Sequence, residues 1–460
     1  MRIVATHRIE SPHAEVLAWH ERPGALVRLT PPGVATIDDP TAGGMRAGRV
    51  VGAHMGPTAL PLRPAWVLRH AEATAAGRFV DQQVSGPWRS WQHEHGIVAD
   101  PADPSATLLT DTIEVELPGG VERSTPVGAA LERRVRRLLA FRARQLREDL
   151  ALHTALAAVP RRTIAITGAS GLVGTQLAAL LESGGHTVRR LVRKDRPGPG
   201  EIRWDPRAGE LDPGDLEGVD VVVHLAGRSI ATRWTDAAKR EIRDSRVEGT
   251  ALIARTLARM TDGPRTLVTA SAIGVYGPQR PGEVLTEEDT AGTGFLADLV
   301  RDWEAATAPA SRAGVRVAQL RTGVVLSDGG GSLLPQLPLL LAGVGGRLAP
   351  PDAVTSWITL DDLVRAYATV ALASSAEGPL NAVAPHPVTQ AELVRALGRT
   401  LHRPAVVPVP AAGPALLLGA EAARELVRAD QRVDATRLQQ AGARFEHPRV
   451  EEALHHVLWR

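Results

Sequence analysis

Three glycines, Gly168, Gly171 and Gly174, have a spacing that can bind a phosphate group. They follow the apolar run 163–167 and precede a segment with the apolar period of a helix. In a strand–turn–helix, the first glycine permits the tight turn, the second lets the backbone approach a pyrophosphate, and the third allows close helix packing. The helix N-terminus adds free N–H groups and a favourable dipole. The residues predicted to hold the pyrophosphate are Gly168, Ala169, Ser170, Gly171, Leu172, Val173 and Gly174.

The end of the next predicted strand, residues 186–193, indicates which dinucleotide binds. NAD sites place a carboxylate here for the ribose diol, whereas a basic residue suits the 2′-phosphate of NADP. This sequence has Arg193 and Lys194, with Asp195 only afterwards. A guanidinium pairs bidentately with phosphate, and the carboxylate of Asp195 opposes it. We therefore predict NADP(H), with Arg193 and Lys194 at the 2′-phosphate.

The residues 220–227 are predicted to form the fourth strand, whose end passes under the cofactor. Small residues here let the dinucleotide lie close to the sheet, and the residues concerned are Leu225, Ala226 and Gly227. Asp205 follows a short predicted strand and is compatible with a place near the adenine or, equally, with a turn. Alternating strands and helices of this kind are typical of an α/β fold with a parallel sheet.

Several segments of the second half are similar in their residues to one family. They are residues 225–250, 271–277, 295–304, 320–326, 356–362 and 378–385. Together they resemble the epimerase-like atypical short-chain dehydrogenase/reductase family, whose members are often labelled NAD-dependent epimerase/dehydratase or cell-division-inhibitor-like proteins. The resemblance covers about 163–459. It implies a Rossmann-type doubly wound parallel sheet with a small C-terminal substrate lobe, at about 327–460.

Ordinary members of that superfamily transfer a hydride with a tyrosine and a lysine four residues later. The lysine ammonium lowers the pKa of the phenol toward a useful range. The two tyrosines of this chain are Tyr276 and Tyr367, and neither has a lysine four residues on. The segment expected to carry the pair, residues 295–304, contains no tyrosine. The usual catalytic pair is absent.

The remaining catalytic candidates are Arg246, Ser271 and Tyr276. Arg246 stands where the resemblance implies a helix asparagine, and Ser271 is adjacent to the expected Ser/Thr position, which holds Ala272. Tyr276 is equally compatible with a packed aromatic whose hydroxyl is hydrogen-bonded. Arg321 is a candidate anion ligand, although we favour a buried ion pair with Asp361 or Asp362.

Three functions remain open. The first is an NADP(H)-dependent, epimerase-like oxidoreductase of atypical mechanism, acting on an unidentified apolar or nucleotide-sugar substrate. The second is a non-catalytic NADP(H)-binding sensor or regulator. The third is a carrier that presents a ligand from the N-terminal half to the reductase.

The first half has a different pattern. Residues 1–9 and 106–116 alternate as strands, Ser11 is a predicted helix cap, and a long helix runs from 127 to about 153. The apolar stripe of this helix is Leu131, Val135, Leu138, Leu139, Leu146 and Leu150. This order, with runs such as 79–93, resembles the helix-grip fold of the START-like (SRPBCC) superfamily. The resemblance implies an α+β domain at 1–157 with an apolar ligand cavity, and a second domain at 163–460.

Two polar groups of the first half have competing interpretations. Trp88, Trp91, His93 and His95 could line a pocket, but we find no third metal ligand in the sequence and predict packed aromatics without a metal site. A basic helix face could bind phosphates or a membrane, but in this arginine-rich chain we favour a solvated surface. Its members are Arg133, Arg134, Arg136 and Arg137.

The composition excludes several classes. The chain has no cysteine, which excludes disulfides and thiolate chemistry. Its formal charge of +2 offers little attraction for nucleic acid. No apolar stretch approaches the ~20 residues of a membrane span, and the N-terminus has no apolar signal core. We therefore expect a cytoplasmic protein with a small-molecule substrate, while the oligomeric state stays open.

Overall fold

The computed structural model describes residues 1–41, 43–58, 60–73, 77–410 and 412–460 of the chain. Its first half consists of β1 (Arg2–Ile9), α1 (His13–Glu21), α2 (Ala25–Arg28), β2 (Ala35–Ile37), β3 (Val50–Met55), β4 (Ala65–Ala73), β5 (Arg78–Ser85), β6 (Ser90–Asp100), β7 (Asp103–Glu116) and α3 (Thr125–Ala155).

These strands form one antiparallel sheet, in the order β1-β7-β6-β5-β4-β3-β2. Strand β7 buries alternate residues, so one face of the sheet is apolar. Helix α3 packs on that face through the predicted stripe, in which Val135, Leu139, Leu146 and Leu150 are buried. The predicted cap at Ser11 is wrong: α1 begins after Pro12 without a side-chain cap, and Ser11 is buried.

The second half contains most of the helices. Its elements are β8 (Thr163–Thr167), α4 (Leu172–Ser183), β9 (Thr187–Val192), β10 (Glu201–Arg203), β11 (Val221–His224), α5 (Asp236–Arg259), β12 (Thr266–Ala272), β13 (Gln279–Leu285), α6 (Phe295–Ala305), α7 (Ala308–Arg312), β14 (Arg316–Thr322), β15 (Val324–Leu326), α8 (Leu337–Leu341), β16 (Val354–Thr355), β17 (Trp357–Thr359), α9 (Leu360–Leu372), β18 (Gly378–Ala382), β19 (Val388–Thr389), α10 (Gln390–Leu401), α11 (Ala412–Leu418), α12 (Ala420–Ala422), β20 (Asp430–Val433), α13 (Thr436–Gln440) and α14 (Val450–Val457).

The large sheet of this half has the order β10-β9-β8-β11-β12-β14-β18, and all its strands are parallel. Apolar clusters cover both faces, which explains the continuous apolar runs of its strands. The order reverses between β8 and β11, and ligands of such sheets bind at the strand ends at this point. The predicted Rossmann-type sheet is confirmed.

The segment predicted as a C-terminal lobe, about 327–460, returns to the main sheet. Helix α9 packs on the sheet, and β18 is its last strand. The remaining helices α8, α10 and α14 share a separate apolar cluster. No helix in the described part of the chain has the length and apolar character required to cross a membrane.

Buried charges join the two halves of the molecule. Arg28 of α2 donates to both carboxylate oxygens of Asp149 on α3, each at 2.8 Å, and to Gln176 Oε1 of α4 at 2.8 Å. It also lies 2.8 Å from Asp361, and Arg365 of α9 reaches Asp149 at 3.3 Å. The side chains of Arg28 and Asp149 are fully buried. This set, which we call the junction network, ties the antiparallel domain to the parallel sheet.

Candidate cofactor cleft

The glycine turn between β8 and α4 is built for close approach. Gly168 has φ +67°, and a Cβ there would lie 2.9 Å from the backbone nitrogen of Ala226. A Cβ on Gly174 would overlap the carbonyl oxygen of Gly168, so the helix packs directly on the turn. Ser170 and Gly171 are exposed. The turn therefore offers open backbone to a ligand.

The N-terminus of α4 is open as well. Gly171 occupies the N-cap position, and no side chain caps the helix. The N–H groups of Leu172 and Val173, in the first turn, have no helical acceptor. Free N–H groups and the dipole of a 12-residue helix are directed at the same place. These residues fit the pyrophosphate of a dinucleotide.

The floor of the cleft is the end of β11, beside the turn. Thr167 Oγ1 accepts the N–H groups of Leu225, at 3.1 Å, and Ala226, at 3.2 Å. The same oxygen lies 2.7 Å from His224 Nδ1. Burial lowers the pKa of His224 to about 3, so this imidazole is neutral and structural. Thr167 therefore holds the Leu225-Ala226-Gly227 segment where the prediction put it.

The two basic residues after β9 differ in whether a carboxylate pairs with them. Lys194 Nζ lies 2.5 Å from Glu201 Oε2, so its charge is already paired. Arg193 is exposed and has no carboxylate partner among the residues that the structure describes. Asp205 accepts the backbone N–H groups of Arg207 and Ala208 and is a turn residue in this structure.

Arg246 borders the cleft from α5. Its guanidinium donates to the carbonyl oxygens of Arg228, at 2.8 Å, and Ile242, at 3.3 Å. A Cβ on Gly227 would lie 3.1 Å from the guanidinium carbon. In the described chain no carboxylate pairs with Arg246. Burial lowers its pKa to about 10, which leaves it cationic at neutral pH.

Ser271 and Tyr276 belong to a different environment. Ser271 Oγ donates to Glu304 Oε1 at 2.6 Å, and Glu304 accepts two bonds from Arg321, each at 2.8 Å. Arg321 also donates to the Tyr276 hydroxyl at 3.0 Å, and that hydroxyl donates to Asn381 at 2.8 Å. Tyr276 is fully buried, and burial raises the pKa of its phenol. The structure joins these two candidates through one buried chain of hydrogen bonds.

Arg321 forms a buried ion pair, as favoured, but the predicted partners are wrong. Its carboxylate is Glu304 of α6, whereas Asp361 pairs with Arg28 and Asp362 accepts the N–H groups of Glu446 and His447. Strand β14 and helix α6 meet only in the folded chain. No spacing in the sequence indicates that pairing.

The described residues form a small cavity in the first half and a larger groove between the two halves. The cavity measures about 60 Å³, and its wall is mainly apolar, with histidine, aspartate and arginine side chains as well. The groove measures about 660 Å³ and lies between α3 and the C-terminal helices. Leu131, Leu337 and Leu458 line it, together with Arg134 and Arg460. The arginine face of α3 is therefore partly a groove wall.

Comparison with known proteins places this cleft in a family. Residues 164–381 match the NAD dependent epimerase/dehydratase family. An epimerase family protein of Mycobacterium bovis is 42% identical over 298 residues, which are 65% of this chain and 98% of that protein. The chain belongs to this family. This confirms the resemblance of the second half to the epimerase family.

Two solved structures of the epimerase family extend the comparison. A nucleoside-diphosphate sugar epimerase from Corynebacterium glutamicum superposes with a TM-score of 0.78 at 35% identity, covering 99% of this chain and 90% of that one. The human epimerase family protein SDR39U1, solved with NADPH, has a TM-score of 0.59 at 30% identity, over 64% of this chain and 98% of that one. Because of these coverages, the first structure shares the antiparallel domain, which the second lacks. Separately, residues 409–457 match a domain of unknown function, DUF1731.

Proposed function

We propose that the protein is an NADP(H)-dependent oxidoreductase of the epimerase family that works without a tyrosine–lysine pair. One observation carries the cofactor choice: Arg193, directly after β9, is exposed and has no carboxylate partner among the described residues. The human relative solved with NADPH supports the same choice. When bound, NADPH supplies a hydride, that is two electrons, to a carbonyl carbon of the substrate.

Different residues of the chain bind different parts of the cofactor. The backbone of Gly168 to Val173 holds the pyrophosphate, and the guanidinium of Arg193 binds the 2′-phosphate, with Lys194 beside it. Small residues at the end of β11 let the dinucleotide lie close to the sheet.

Arg246 is our choice for the substrate side. It is a cation without a carboxylate partner, held by two backbone carbonyls in a fixed position beside Gly227. A fixed guanidinium binds a substrate oxygen and stabilises the negative charge that develops there. The proton that this oxygen then takes comes from water. Ser271 and Tyr276 are not assigned a step, because their hydroxyls are used in the buried chain with Glu304, Arg321 and Asn381.

The substrate class rests on the comparison with a relative, because Arg246 is assigned to the reacting oxygen and not to a distant anionic group. The Corynebacterium glutamicum relative is a nucleoside-diphosphate sugar epimerase. We therefore place nucleotide sugars ahead of uncharged apolar substrates.

For the antiparallel domain we propose a START-like ligand-binding role, based on its strand–helix–strand–long-helix order. Its ligand site is then the groove between α3 and the C-terminal helices. Burial and neighbouring arginines, including Arg137 and Arg134, lower the pKa of Arg460, and Arg460 Nε has no hydrogen-bond partner among the described residues. Leucines with unpaired arginines fit an amphiphile with an anionic head, such as a fatty acid.

The test uses NADPH carrying deuterium at the transferable position, offered with a small-molecule extract of the source cells. We expect deuterium in a nucleotide-sugar product with the natural protein and none with Gly171→Asp. Arg246→Ala should abolish labelling while NADPH still binds. If NADPH binds but no product is labelled, the protein is a sensor or carrier, as the buried Tyr276 and the missing lysine would then explain.

A further inference from the structure

A row of histidine and aspartate side chains, buried or largely buried, crosses the antiparallel sheet. It runs through His70 on β4, Asp81 on β5, His93 and His95 on β6, and Asp111 on β7. The strand register places Asp81 opposite His93, and His95 opposite Asp111. The cofactor cleft uses none of these residues.

Three donor atoms of this row converge. Asp81, His93 and His95 each present one ligand atom, and these atoms all lie within 4.8 Å of one another. The closest measured pair is His95 Nε2 and Asp81 Oδ2, at 3.3 Å. In a tetrahedral zinc site with bonds of about 2.0–2.1 Å, neighbouring ligand atoms are roughly 3.3 Å apart.

Asp111 orients both imidazoles from the next strand. Its Oδ1 lies 2.8 Å from His93 Nε2 and 2.9 Å from His95 Nδ1. Metal-binding histidines usually use their second nitrogen in this way, and the bond fixes which nitrogen carries the lone pair. In His95 the other nitrogen is Nε2, which forms a hydrogen bond of 3.3 Å with Asp81 Oδ2, so a metal ion between them would replace the shared proton. In His93 the free nitrogen is Nδ1.

Two atoms of the row depend on each other. His70 Nδ1 and Asp81 Oδ1 form a close ion pair, and neither atom has a hydrogen bond to a further described residue. Buried polar atoms of this kind usually have a partner, either protein, water or ion. The cavity of about 60 Å³ beside them is lined by both residues and by His95. A cation at this point satisfies the carboxylate and the imidazole together.

A second group of possible ligands, Glu148, His447 and His456, is less suitable. Glu148 already accepts from Arg365 at 2.7 Å, and His456 lies 2.9 Å from Asp361. Arg365 is buried and contacts this group, so its guanidinium already supplies the positive charge that a metal ion would bring. In the row across the sheet, by contrast, the ion-pair partners of Asp81 and Asp111 among the described residues are all histidines.

We propose that Asp81, His93 and His95 bind a divalent transition metal ion, with zinc as the preferred ion. Nitrogen and carboxylate oxygen donors in a tetrahedral arrangement suit zinc, and the chain needs no cysteine for it. Asp111 holds the imidazoles, and His70 stands beside the site as a further donor. The remaining coordination position faces the cavity, which leaves room for water.

The test is a metal titration of the full-length chain after dialysis against a chelator. We expect one equivalent of zinc to bind, and Asp81→Asn and His93→Gln each to weaken the affinity about 100-fold or more. The control is His54→Gln, because His54 is an exposed histidine paired with Asp38 and should bind zinc like the natural protein. NADPH affinity should stay the same in all variants, which shows that they are folded.

Three results would overturn the proposal. One is a natural protein that binds no zinc at micromolar concentrations. Another is binding that survives both Asp81→Asn and His93→Gln, or that His447→Gln removes instead. If the variants do not fold, X-ray absorption of the zinc-loaded natural chain decides. A spectrum without imidazole ligands contradicts the site, and one with two or three imidazoles and a carboxylate supports it.

Discussion

The cofactor cleft and the junction network are both rich in charge, but they differ in how that charge is paired. At the junction, Arg28 and Arg365 are buried and each contacts two or more carboxylates. At the cleft, Arg193 and Arg246 have no carboxylate partner within the described chain. A buried charge must be paired to be tolerated, whereas a charge at an open cleft is available to a ligand. The same type of side chain therefore stabilises the fold at the junction and is available to a ligand at the cleft.

The strongest test of this contrast removes a paired arginine. Arg28→Ala leaves Asp149 and Asp361 buried with fewer partners, and we expect it to lower the free energy of unfolding by about 3–5 kcal/mol. The measurement is urea unfolding followed by circular dichroism. The matched control is Arg8→Ala, which removes a surface arginine paired with Asp100 and Asp103 and should cause no resolvable change. Equal effects of the two substitutions would contradict the contrast.

Asp328 is an exception near the junction, because it is a buried carboxyl without an arginine. It accepts from Gly33 N at 3.1 Å and Trp459 Nε1 at 3.1 Å, and burial raises its pKa to about 7. The folded state therefore keeps a proton that the unfolded chain has lost, so this group makes stability fall as pH rises from about 4 to about 7.

Asp328→Asn cannot ionise and should remove that pH dependence. We expect the variant to gain roughly 2–4 kcal/mol relative to the natural protein between pH 4 and pH 7, with no further gain above. Urea unfolding at a series of pH values measures it. Asp262→Asn, at an exposed carboxyl, is the control and should show a constant difference. A constant difference for Asp328→Asn as well would show that its pKa is ordinary.

At the cleft, a negative charge on the turn should be harmful without affecting the fold. Gly171 is exposed with φ −81°, and a Cβ there would lie 3.3 Å from the carbonyl oxygen of Gly168, so a side chain requires a small shift of the turn. We expect Gly171→Asp to raise the Kd for NADPH on the order of 100-fold, because the carboxylate repels the pyrophosphate. NADPH fluorescence measures it, and Gly171→Ala separates bulk from charge. An equal loss in both variants would assign the effect to bulk.

Arg193 has no carboxylate partner among the described residues, whereas Lys194 has one. We therefore expect substitutions of these two residues to change the preference for NADPH over NADH to different extents. Arg193→Glu should lower the preference for NADPH over NADH by at least about tenfold, since a charge-assisted phosphate contact is lost. Lys194→Gln should change this preference less, because Lys194 is already paired with Glu201. Separate titrations with the two nucleotides measure the ratio. An unchanged ratio in Arg193→Glu would mean that the phosphate assignment is wrong.

The smallest effect is expected at Tyr276. Tyr276→Phe removes the hydroxyl between Arg321 and Asn381, and we expect a loss of about 1 kcal/mol in unfolding free energy with unchanged NADPH affinity. Tyr367→Phe, at the other buried tyrosine, is the matched control. A large loss of turnover in Tyr276→Phe at unchanged stability would instead make this tyrosine catalytic.

The sequence predicted the features that depend on neighbouring residues. The glycine spacing, the β8 and β11 strands and the α3 stripe all follow from local patterns, and the structure contains each of them. The sequence did not predict that Arg193 lacks a carboxylate partner among the described residues. That outcome depends on the pairing of Glu201 with Lys194 across a loop. The proximity of Asp81 to His93 and His95 did not follow from the sequence either, because strand register brings these side chains together. The partner of Arg321 was mispredicted for the same kind of reason.

The junction network can be completed only late during synthesis of the chain. Arg28 and Asp149 lie in the first domain and can meet early, but Arg365 is 216 residues beyond Asp149. At ribosomal speeds of about 5–20 residues per second, that separation takes roughly 10–40 s to synthesise. During this interval Glu148 and Asp149 are without Arg365, and α3 stays hydrated along that side. The side of α3 that carries Glu148 and Asp149 therefore acquires its final ion pairs only after Arg365 has left the ribosome.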